Sequence, residues 1–115
     1  MRTYYFNKDH TEIDLNTISY KENEWERDTK ARKLAHKTIL AKDDAEAQFI
    51  LNNPEHNDVV QVRCYNSTEY MFRPSALEFY KTAMIHSEGS ERERYTTIYT
   101  RLGLGQREVS DNKKP

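Results

Sequence analysis

The sequence predicts an α+β domain: a small mixed sheet of four to five strands, helices packed on one face, and a C-terminal αα-hairpin. Three observations carry that expectation. The run "KTILAKDDAEAQFILNNPEHNDVVQVRCY" reads as strand, helix, strand. The run "VVQVRCYNSTEYMFR" alternates apolar and polar residues twice around a turn. The runs "PSALEFYKTAMIH" and "SERERYTTIYTRLGLG" show helical periodicity with start and stop signals.

At the N-terminus, "RTYYFN" is rich in β-formers and "TEIDLN" alternates Thr11, Ile13 and Leu15 with polar residues. Pairing Phe6 with Ile13 and Tyr4 with Leu15 puts these four on one face, across a loop of Asp9 and His10. In "YKENEWERDTKARKLA" the Glu26–Lys30 and Asp28–Arg32 spacings favour a short helix. Its apolar stripe is poor, because Trp25 does not align with Ala31, Leu34 and Ala35; a long excursion ending in a strand is the alternative.

Thr38–Ala41 reads as a strand. Asp43 or Asp44 caps the following helix, whose Ala47, Ile50 and Leu51 share a face and which Pro54 ends. The strand from Asp58 onward then permits a right-handed parallel crossover. Parity places Val60, Val62 and Cys64 on one face, with Val62 opposite Phe72 and Cys64 opposite Tyr70. That register needs an odd loop centred on Asn66, Ser67 and Thr68, and it puts Gln61, Arg63, Tyr65, Met71 and Arg73 on the other face.

Ser75 with Glu78, and Ser90 with Glu93, fit capping boxes. Leu77, Tyr80 and Met84 form the stripe of the first helix; Tyr95, Ile98, Tyr99 and Leu102 form that of the second. Gly103 suits a left-handed helix end, with Leu104 folding back over the last turn. Residues 1–108 make one domain, and 109–115 a polar frayed tail.

At 115 residues the chain suits a single core, and eight tyrosines thicken a thin aliphatic interior. Net charge is −1 and pI about 6.4, which argues against a general nucleic-acid binder. Without an apolar leader or a spanning segment, a cytoplasmic protein with no membrane role is expected.

No catalytic, cofactor or metal motif emerges, so a non-enzyme without cofactor is expected. Cys64 lies on an apolar strand face and reads as packing. His10, His36, His56 and His86 have no metal-ligand spacing. "GLGQRE" follows a helix, whereas a phosphate loop follows a strand. "NST" reads as a turn, since nothing marks the chain for secretion.

Two surfaces remain. Gln61, Arg63, Tyr65, Met71 and Arg73 form a candidate face for an unidentified protein partner, since Tyr, Met and Arg favour interfaces. Arg92, Arg94, Arg101 and Arg107, joined by Arg63 and Arg73 and by Tyr65 for stacking, form the alternative, a nucleic-acid patch. Glu91, Glu93 and Glu108 interleave with those arginines and disfavour it.

The runs "SEGSERERYTTIYTRLGLG" and "VRCYNSTEYMFRPSALEFYKTAM" resemble small uncharacterised accessory proteins of conjugative or integrative elements in Gram-positive bacteria. The likeness covers the second half of the chain and rests on overall similarity. It implies a bacterial cytosolic setting and a link to mobile elements, with no functional residues to carry over.

Overall fold

The computed structural model describes residues 1–64 and 67–110. Its strands are β1 (Arg2–Phe6), β2 (Lys37–Ala41), β3 (Val59–Cys64), β4 (Ser67–Phe72) and β5 (Glu108–Ser110); its helices are α1 (Glu24–Leu34), α2 (Asp44–Asn52), α3 (Arg73–Ile85) and α4 (Gly89–Gly103). The strands form one mixed sheet in the order β1-β2-β4-β3-β5. β1 is antiparallel to β2 and β3 to β4, while β2–β4 and β3–β5 are parallel. The chain is therefore an α+β domain with a C-terminal helix pair, as the sequence predicts.

Helices lie on both faces of this sheet, not on one. Leu40, Val60, Val62, Met71 and Val109 pack against Ala76, Tyr80, Ile98 and Leu102 of the α3–α4 hairpin. The intervening residues Ile39, Ala41 and Val59, with Tyr4 and Phe6, pack against Ala47, Ile50 and Leu51 of α2. Alternate residues of a strand point to opposite faces, so these two clusters are opposite sides of one sheet.

Burial of both faces explains the register error between β3 and β4. Val62 faces Glu69, Cys64 faces Ser67, and Phe72 faces Val59 instead of Val62. Alternation fixes a register only where a strand has one apolar face, and β4 has apolar residues on both. Met71 goes to the hairpin face, while Tyr70 and Phe72 go to the α2 face. Ser67 and Thr68 consequently belong to β4, and the connection shrinks to residues 65–66, outside the described residues.

The parallel partner of β2 is likewise β4; β4 inserts between β2 and β3, so β2 and β3 are not neighbours.

The N-terminal hairpin is reduced to a single bridge, Phe6 to Glu12, one residue out of the expected Phe6–Ile13 register. A longer return over residues 7–11 causes this. Asp9 accepts hydrogen bonds from the Thr11 backbone N–H (3.1 Å) and hydroxyl (2.6 Å), and His10 turns the chain at φ 71°. Leu15–Thr17 is a 3-10 turn, so Leu15 does not pair with Tyr4; β2 does.

α1 forms where expected, with Asn23 accepting from the Glu26 N–H, and buries only Ala31. Tertiary bonds hold it instead. Arg32 meets Glu69 at 3.0 Å and lies over the Tyr5 ring, and Lys30 donates to the Ser19 carbonyl at 2.7 Å.

Neither expected capping box forms. α3 starts at Arg73 directly out of β4, with Pro74 in its first turn, and Ser75 is inside the helix. α4 starts at Gly89, whose φ of +62° suits glycine, so Ser90 is already helical. At the other end Gly103 remains helical; Gly105, at φ +91°, makes the left-handed turn, and Leu104 stays exposed. Past residue 108, Val109 is buried and pairs beside Val62, so the domain extends through Ser110.

Candidate interaction surface at the open end of the sheet

α2 covers one end of its face; at the other end Phe6 of β1, which pairs with Lys37, is buried, and the strands beyond it are not covered by α2. Strand registers place Ile39, Tyr70, Gln61 and Glu108 in one row across β2, β4, β3 and β5. Extending the parallel register by one residue puts Lys37 beside Thr68, giving a next row of Lys37, Thr68, Arg63 and Ser110. α2 sits over the opposite end, on Ala41, Val59 and Phe72. Solvent reaches the Lys37 row: Arg63 is exposed, and Lys37, Thr68, Tyr70, Gln61 and Ser110 are half-buried.

This end is hollowed. Gln61, Arg63, Thr68, Glu108 and Ser110 line a depression of about 280 Å³. A second, of about 550 Å³, shares Gln61 and Glu108 and continues along β5 to Arg107 and Pro54. The Lys37 ammonium lies 4.6 Å from the Tyr70 ring centroid, a cation–π contact. At the covered end Phe49, Phe72 and His56 pack as a ring cluster, with Phe49 and Phe72 edge-to-face at 5.5 Å.

The five residues expected to share a partner surface do not do so. Gln61 and Arg63 are on the open face. Met71 is fully buried on the hairpin side. Tyr65 lies outside the described residues. Arg73 is consumed internally: Nε pairs with Asp58 at 3.1 Å, Nη1 donates to the Leu102 and Gln106 carbonyls at 2.7 and 2.8 Å, and Nη2 donates to the Asn57 and Gly105 carbonyls at 2.8 and 3.3 Å. It ties the end of α4 to the segments entering β3 and β5. Tyr70, Thr68 and Lys37 were missed. The β4 register hid the first two, and the third reads from sequence as a flanking charge.

The proposed nucleic-acid arginines are mostly tied down as well. Arg92 donates to the Met84 carbonyl at 3.0 Å, Arg101 to Ser110 at 3.0 Å, and Arg107 to Pro54 at 2.9 Å. Arg94 is also partnered. Arg2 pairs with Glu12 and Asp44, Arg27 with Asp28, and Arg32 with Glu69. Of the nine arginines in the chain, Arg63 alone has no hydrogen-bond, ion-pair or ring partner among the described residues.

A second place where a ligand could be sought is partly filled by the chain itself. β2 and β4 run parallel, and the helices that follow them go to opposite faces. The α2 and α3 N-termini therefore converge beyond these strands, where open α/β sheets commonly hold ligands. Buried Glu46 takes up part of that crevice. Its carboxylate accepts from the Ser75 hydroxyl and from the Lys42 N–H at 2.8 Å, and its own N–H donates to Asp43 at 2.8 Å.

Two further hollows flank the helices. One, of about 550 Å³, runs from Lys42 and Ser75 along α3 to Phe79, Ala83 and Tyr95. The other, of about 850 Å³, lies between Ile13, Ile18 and Leu34 with Lys30 and Lys33 at its edge. Among the described residues no group of three or more His, Cys, Asp or Glu side chains could hold a metal, and no helix is long and apolar enough to cross a membrane.

Three tyrosines titrate above their ordinary value. Burial raises Tyr4, reinforced by its hydrogen bond to Asp44 (2.7 Å), and burial raises Tyr5 despite the neighbouring Arg32. Tyr95 is raised by burial and by its bond to Glu91. Asp9 is lowered by the two hydrogen bonds from Thr11.

No family model, no curated protein and no solved structure matches the chain.

Proposed function

We propose that the chain is a non-catalytic protein-interaction module that docks a partner protein on the open end of its α2 face, with Arg63 as the anchor. The observation that carries this reading is the Arg63 guanidinium, which has no partner among the described residues. The other eight arginines each have a partner; this one lies on β3 and lines a depression bordered by Gln61, Thr68 and Ser110. An arginine on a rigid strand, set among hydrogen-bonding groups and near an aromatic ring, has the chemistry that dominates interface energetics. The resemblance read from the sequence to accessory proteins of Gram-positive mobile elements points to an accessory role in such an element. Nucleic-acid binding is the weaker reading, since Arg73, Arg92, Arg101 and Arg107 each donate to backbone carbonyls and acidic residues interleave with them.

The test is site-specific photo-crosslinking in the bacterial cells that carry the gene. A photoreactive side chain at Thr68 is expected to give a discrete protein adduct that Arg63→Glu abolishes, while the same probe at exposed Lys81 on α3 gives none. Adducts at Lys81 and Thr68 alike, or adducts at Thr68 indifferent to Arg63→Glu, would remove the reading.

A further inference from the structure

The open end also constrains its partner's chemistry, if the interaction reading above holds. Lys37 and Arg63 lie in one row, on β2 and β3, with β4 between them. Two inter-strand spacings separate their backbones by about 9.6 Å. Thr68 stands between them with a hydroxyl, and in the neighbouring row the half-buried Tyr70 ring carries the Lys37 ammonium 4.6 Å from its centroid, which holds that cation on this surface.

A peptide in a β-conformation matches this row poorly. Its same-side residues are two apart, about 7 Å, and residues three apart point to opposite sides. A polyproline II segment matches it well. Three residues complete one turn at 3.1 Å each, so residues i and i+3 share a side at about 9.3 Å. Such a segment also brings little ordering entropy to lose, and its prolines pack against aromatic rings.

We propose that this surface binds an acidic polyproline II peptide crossing the strands, with one carboxylate on Arg63, a second three residues away on the Lys37 ammonium held against Tyr70, and the intervening residues over Thr68. The Arg63 guanidinium takes its carboxylate through paired N–H donors, and Lys37 acts as a point charge. The observations favour a peptide over a polyanion. Two cations, with Glu108 in the neighbouring row and Glu55 in the adjoining hollow, cannot neutralise a run of phosphates, and the other arginines are committed.

The experiment is an NMR titration of the ¹⁵N-labelled full chain with proline-rich peptides. One contains Glu-Pro-Pro-Glu, one Gln-Pro-Pro-Gln and one Glu-Pro-Glu; a single-stranded thymidine oligonucleotide is the fourth probe. Amide shifts around Lys37, Arg63, Thr68 and Ser110 are expected with the first peptide. Arg63→Ala and Lys37→Ala should each weaken it about two- to five-fold, the range of an exposed ion pair, and Lys81→Ala should leave it unchanged. Equal response to the Gln or Glu-Pro-Glu peptide, a stronger response to the oligonucleotide, or no shifts at these amides overturns the proposal. Equal shifts from all the peptides on these same amides would leave the open end a docking surface and remove only the acidic spacing. Loss of the Thr68 crosslink, by contrast, removes the interaction reading itself.

Discussion

The two faces of the sheet are built from the same strands yet end in different states. On the hairpin side, Val60, Val62, Met71, Ile98, Leu102 and Val109 are closed from water by two helices, with Tyr80 above them. On the α2 side a helix of nine residues covers one end and leaves the Lys37–Arg63 row in contact with solvent. The difference follows from cover length. The thirteen-residue α3 and fifteen-residue α4 reach across β4, β3 and β5, whereas α2 is capped by Asp43 and stopped before Pro54. The closed face supplies stability; the half-open face has polar and charged side chains to spare for recognition.

That contrast is broken most severely through the closed face. Ile98→Ala should lower unfolding free energy by about 2–5 kcal/mol in urea denaturation, because a fully buried side chain leaves a cavity under both helices. Arg73→Ala should cost about 2–3 kcal/mol, since it strands carbonyls of the α4 end and the β5 approach that now share one guanidinium. A cost below a few tenths of a kcal/mol would show that this clamp does not hold β5 in place.

Alkaline pH gives a third, smaller effect. Tyr4 and Tyr5 have folded-state values above the unfolded value near 10, so the folded chain keeps protons that the unfolded chain releases. Their contribution is fully present below pH 10 and is lost as pH rises through the folded values. Unfolding free energy should therefore fall above pH 10, and Tyr5→Phe should blunt that fall. Smallest is Arg63→Ala, expected to change stability by about 0.5 kcal/mol or less, as for an exposed side chain with no partner among the described residues.

How much of this is readable in the sequence depends on how local the signal is. The Ile98–Leu102 stripe of α4 and the Ala47–Ile50–Leu51 face of α2 follow from spacing alone, and both are buried as expected. The β3–β4 register was not legible, because Tyr70, Met71 and Phe72 are consecutive and apolar. Which of them turns inward depends on α2 covering the second face, a long-range fact. Ser75 illustrates the same limit: it looks like a cap, but its hydroxyl is taken by Glu46, 29 residues away in sequence. Val109 is one apolar residue in a polar tail, and only its place beside Val62 makes it core. For the surface, sequence placed Gln61 and Arg63 on one strand face. That Arg63 stands alone becomes visible only when the partners of the other arginines are known.

The central claim is that Arg63, alone of the nine arginines, has no partner among the described residues. Time-resolved modification of the native chain by phenylglyoxal, mapped by peptide mass spectrometry, measures this directly. The account predicts that Arg63 reacts first and that Arg73, clamped by five hydrogen bonds, reacts last. Modification of Arg73 as early as Arg63, or an Arg63 protected in the isolated chain, would contradict it.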